Sequence, residues 1–82
     1  MFKVVKTVVV QTHPADVEDV GPVYDQHWQA EEKLGDIEEK ILEKDYRIVI
    51  NDATIIVALG CTETGDRFTL IYTINEVNRY GV

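Results

Sequence analysis

Apolar positions along this chain change their period three times, and each period predicts an element. Residues 2–11 are nearly all apolar or β-branched, with Val4, Val5, Val8, Val9 and Val10, and predict a strand that stops at Thr12-His13-Pro14. Phe2, Val4, Val8 and Val10 fall on one face of it, and Val5, Thr7 and Val9 on the other. Beyond residue 20 the spacing lengthens. Val23, His27, Ala30, Leu34, Ile37 and Ile41 recur at alternating steps of four and three, the seam of an amphipathic helix. With Gly21 at the cap and Pro22 at the first position, the helix is expected over about 22–44. Tyr24, Trp28 and Leu42 widen the seam on its flanks, and Gly35 inside it predicts a kink or a close backbone contact.

Residues 46–60 read as strand, interrupted near 51–52. Asn51-Asp52 is a weaker hairpin signal than Asn-Gly, which favours one long interrupted strand over two. Residues 62–66 (TETGD) form a turn, and residues 67–76 alternate strictly, with Phe68, Leu70, Tyr72 and Ile74 on one face. The order is β-α-β-β. It predicts a single α+β domain over 1–82, with one long amphipathic helix on a three-stranded, mostly antiparallel sheet. One helix covers one sheet face. The second face is expected to carry Val5, Thr7, Val9, Thr54, Ile56, Ala58, Thr69, Ile71 and Thr73. A surface of that kind is either an ordinary exposed antiparallel face or the contact of a homodimer or higher homo-oligomer.

Composition removes whole classes of function. The chain has 82 residues, 45% of them apolar, one cysteine and no serine. A domain of this size buries roughly 60% of its unfolded surface and can fold alone. A single cysteine forms no internal disulfide and builds no cysteine-rich zinc finger. Without serine there is no Ser-His-Asp triad. No apolar run reaches the ~18 residues of a membrane span, and residues 1–11 do not form a signal peptide, so the expected location is the cytoplasm.

Charge adds a second pattern. The net charge is −7, with 15 acids against 8 bases, which disfavours direct binding to nucleic acid. Residues 15–45 hold eleven acids and three lysines, a balance of −8, while the rest of the chain is close to neutral. Asp25, Glu32, Asp36, Glu39 and Glu43 step by seven, four, three and four, a stripe opposite the apolar seam, with Asp36–Lys40 and Glu43–Arg47 as possible partners. Such a stripe is either a solvated face or a row of charge that imitates phosphates and occupies a basic groove on a partner protein. Tyr24 and Trp28, four apart, either pack on the sheet or anchor that partner.

No constellation reads as catalytic, and no metal or cofactor is implied. His27 lies on the seam with Glu31 one turn on, and His13 sits in a turn, without a further ligand in register with either. Cys61, next to Glu63 and Asp66, reads as structural. Residues 60–67 have the glycine spacing of a phosphate loop but lack its Lys and Ser/Thr and lead to a strand.

The Lys3-Val4 opening strand and the Thr69-Leu70-Ile71-Tyr72 run of the last strand, in a chain of this size and element order, resemble small proteins of Gram-positive bacteria and their phages, one group of them associated with sporulation. That resemblance implies a small viral or prophage inhibitor, an anti-defence protein of the host cytoplasm that blocks a defence or nucleic-acid-handling protein. The expected function is therefore non-enzymatic binding to a basic protein surface through Tyr24, Asp25, Trp28, Glu32, Asp36, Glu39 and Glu43. The alternative is a homo-oligomer that sequesters a small molecule such as a nucleotide at sites between subunits, with Tyr24, Trp28 and Arg67 or Arg79 stacking on the base and pairing with phosphate.

Overall fold

A computed structural model describes residues 1–11 and 14–77. Its elements run β1 (Phe2–Val10), β2 (Asp16–Tyr24), α1 (His27–Glu43), β3 (Arg47–Asn51), β4 (Ile55–Cys61) and β5 (Arg67–Glu76). The five strands form one antiparallel sheet in the order β2-β1-β5-β4-β3. The class is α+β, but the order is ββαβββ, which corrects the expected β-α-β-β with three strands. Two segments account for the difference.

The first is residues 16–24, whose last three positions fall within the expected helix. Val17, Val20 and Val23 recur every third residue, which imitates a helical stripe. In the fold the segment is an edge strand, with only Val20 and Tyr24 partly buried. Gly21 and Pro22 form a bulge, not a helix start. Gly21 sits at φ 81°, open to glycine at little cost, and three residues of β2 pass opposite the single Lys3. Proline is tolerated there because it lies at a bulge in a strand paired on one side only. Cross-strand charges hold the edge: Lys6 to Glu18 at 3.7 Å and Lys3 to Asp19 at 3.2 Å.

The second is residues 46–60, expected as one interrupted strand. They are a hairpin of β3 and β4, closed by a hydrogen bond from the Asp52 amide to the Ile55 carbonyl at 2.9 Å. The Asp52 carboxylate accepts from the Ala53 amide at 2.6 Å, and Asn51 Nδ2 donates to Glu38 Oε1 on α1 at 2.8 Å. Asp52 thus braces the turn with its own side chain, and residues 51–55 need no positive φ.

The helix lies within the expected span and on the expected seam. Ala30, Leu34, Ile37 and Ile41 are buried against Val4, Ile56, Ala58, Leu70 and Tyr72 of the sheet. Full burial of each large aliphatic contributes about 1.5–3 kcal/mol. Val23, counted on the seam, is instead on β2 and exposed, and His27 is only partly buried. The helix ends in a Schellman turn: the Tyr46 amide bonds the Ile41 carbonyl, and the Asp45 amide bonds that of Leu42. Running from one sheet edge to the other, α1 covers one face of the sheet.

Candidate functional site

The expected site residues are distributed by the corner between β2 and α1. Tyr24 ends β2 and packs against the core, while Trp28 lies in the first turn of the helix with 55% of its surface exposed. Gln26 at the cap donates its amide to Gln29 Oε1 at 3.1 Å, which fixes this corner. The two aromatics are therefore not neighbours on one helix, yet the fold brings them together. Tyr24, Trp28, Glu32 and Asp36 line one shallow groove of about 230 Å³, completed by Gln29 and Lys33.

The acids hold the far side of the helix. At 100° per residue, Glu32, Asp36, Glu39 and Glu43 lie within about 60° of one another and about 180° from the seam. All four are exposed, and none is in an ion pair among the described residues; the expected Asp36–Lys40 and Glu43–Arg47 pairs are not formed. Asp25, placed on this stripe by spacing, lies in the bend before the helix. Leu42 is 57% exposed and points outward beside Glu39 and Glu43, not inward on the seam.

Two features were not read from the sequence. The first is a lysine rail. Lys33, Lys40 and Lys44 follow one flank of the seam at steps of seven and four, a spacing that helical angles would have revealed. With Lys6 they border a groove of about 680 Å³ between α1 and the β1–β2 hairpin, over a floor that includes Val8, Ile41, Phe68 and Leu70. Four of the five lysines of an acidic chain thus surround one cleft. Lys6 is paired to Glu18; the other three have no ion pair among the described residues.

The second is the true composition of the uncovered sheet face. Ile56 and Ala58, expected there, face the helix. Their neighbours Ile55, Val57 and Leu59 take the open side, because the strand phase follows the β3–β4 turn. A one-residue change of frame moves every side chain of a strand to the other face.

The remaining candidates have structural roles. His27 meets Phe2 edge-on, with ring centres 5.1 Å apart, and its Nδ1 lies 3.2 Å from Glu31. Among the described residues no three or more His, Cys, Asp or Glu side chains are grouped to hold a metal. Cys61 is exposed at the end of β4, across the ladder from Arg67. The Thr62–Asp66 turn uses its hydroxyls internally: Thr62 and Thr64 oxygens are 2.9 Å apart, and Thr64 donates to Asp66 at 3.2 Å. Tyr24 and Arg67 sit at opposite ends of the sheet, roughly 30 Å apart along the strand direction, so one protomer does not bring them into one site. His13 and Arg79 lie outside the described residues. No helix among the described residues is long and apolar enough to cross a membrane. Comparison of the chain with protein-family models, with curated proteins and with solved structures gives no match.

Proposed function

We propose that this chain is a non-enzymatic binding protein whose outer helix face engages a basic surface on a partner protein. The observation that carries the reading is the groove at the β2–α1 corner, where two aromatics and two unpaired acids meet. Trp and Tyr supply binding energy when a partner buries them, and unpaired exposed acids supply complementarity and a fast, salt-sensitive approach. Glu39 and Glu43 carry the acidic row on to roughly 10 and 16 Å from Glu32 along the helix, toward Leu42 as a second apolar contact. A rigid row of carboxylates of that length suits a groove built for phosphates. The resemblance to phage-encoded proteins supports a host defence or nucleic-acid-handling protein as the partner.

The test is quantitative capture of a host protein by wild type and by the E32Q/D36N/E39Q/E43Q variant. The variant should keep its fold and lose affinity about 10- to 100-fold, with a flatter dependence on salt. Trp28→Ala should lose affinity with the salt dependence unchanged. Equal affinity and equal salt dependence for wild type and the acid variant contradict the reading.

The lysine groove favours a second reading, an anionic small molecule held over an apolar floor. Its volume lies in the range of ligand clefts. It lies apart from the set Tyr24, Trp28 and Arg67, which one protomer does not assemble and which would meet only at a site between subunits. Native mass spectrometry of freshly purified protein tests it. A bound anion that is lost in the K33A/K40A variant supports this reading, and a bare chain mass contradicts it.

A further inference from the structure

We propose that the uncovered face of the sheet is the contact between two copies of this chain. Strand register arranges this face in rows. The middle row crosses all five strands as Val17, Thr7, Ile71, Val57 and Ile50. The row on one side holds Val5, already buried by its neighbours, with Thr73 and Ile55, and the row on the other holds Val9, Thr69 and Leu59. Val9 and Leu59 are 40% and 41% exposed, and Ile50 is 48% exposed.

Among the described residues, charge is confined to the perimeter of the face. Lys3 and Asp19 pair with each other at one corner, and Arg47 and Arg67 lie toward the opposite end. An apolar centre with a polar rim is the anatomy of a protein interface.

Area, symmetry and charge select a second copy as the occupant. Five strands about 4.8 Å apart and roughly 25 Å long make a face of about 600 Å². Two such faces bury about 1,200 Å², the lower limit of a standard specific interface.

The middle row spans the sheet, so a two-fold axis in the plane between two sheets lays it upon itself. Such sheet pairs pack about 10 Å apart.

Each copy carries −7, and self-association through a charged face would be opposed. Face-to-face pairing instead places the two acidic helices on the outside, roughly 30 Å apart at about 10 Å per packed layer. That separation is several times the Debye length of about 8 Å in physiological salt. Among the described residues, the centre of the face has no charge that would recruit an acidic or a basic partner.

The test is the mass of the full chain in solution, by sedimentation and light scattering over a wide concentration range. The expected mass is twice 9.4 kDa. The V9K/L59K variant places two charges at positions already exposed in one protomer. It should keep its far-UV spectrum and raise the dimer dissociation constant at least about 100-fold. If that variant does not fold, V9T/L59T serves, with a rise of about 10-fold. Leu42→Lys, on the outer helix face, should leave the dimer intact. A wild type that is monomeric at every concentration overturns the proposal. So does a dimer indifferent to Val9 and Leu59 but broken at Leu42, or a stable complex with a different protein in place of the dimer.

Discussion

Asp45 closes α1 at φ 59°, in the left-handed region that glycine takes most easily. Its amide and that of Tyr46 complete the Schellman bonds, and Tyr46 then packs beside Ile41 in the core cluster. The backbone need is for the conformation, not for the carboxylate. Asp45→Gly is expected to stabilise the protein by about 0.5–1 kcal/mol, read as a rise in the urea midpoint at constant slope. Gly60 is the reverse case. A Cβ there would lie 2.5 Å from the Phe68 ring, which sits directly across the ladder and meets Tyr46 edge-on at 5.3 Å. Gly60→Ala must displace that pair and should cost about 1–3 kcal/mol in the same measurement. Gly35, expected to mark a kink or a close contact, has nothing within 4 Å of a Cβ and is exposed on the helix. Gly35→Ala should therefore stabilise by up to about 1 kcal/mol, the difference in helix propensity alone.

Among the elements, what could be read from the chain depended on whether one face is buried. The seam of α1 and the strict alternation of β5 are set by contact with the core, so their period is visible in the residues themselves. The edge strand β2 buries little, and its sequence records acids that pair with Lys3 and Lys6 of β1. No period of two survives there, and the spacing of its valines mimics a helix. The β3–β4 hairpin was hidden for another reason. Its turn relies on Asp52 and on Asn51 reaching Glu38, a contact between residues 13 apart that no local pattern encodes. The same logic governs the site. Acids facing solvent kept a readable helical spacing, whereas the approach of Tyr24 to Trp28 depends on the corner between two elements. The corner also has a weak point: the helix begins with Gln26 and has no acid in its first turn. Gln26→Asp should stabilise by about 1 kcal/mol through a direct cap on the early amides, checked by thermal and urea unfolding.

For the whole molecule, the consequence of five strands and one helix is sidedness. One layer of helix presents acids and two partly exposed aromatics outward; the sheet beneath it presents valine, isoleucine, leucine and threonine on its far side. Pairing of two sheets would cover the second surface and leave the first free on both outer sides of the dimer. One experiment reads both surfaces. Methyl resonances of the concentrated protein are recorded with a soluble paramagnetic agent that broadens whatever it can approach. The methyls of Val9, Val57, Leu59 and Ile71 should be protected, and those of Leu42 on the outer helix face broadened. Equal broadening of the sheet methyls and of Leu42 would contradict the account, as would protection of Leu42 with an open sheet face.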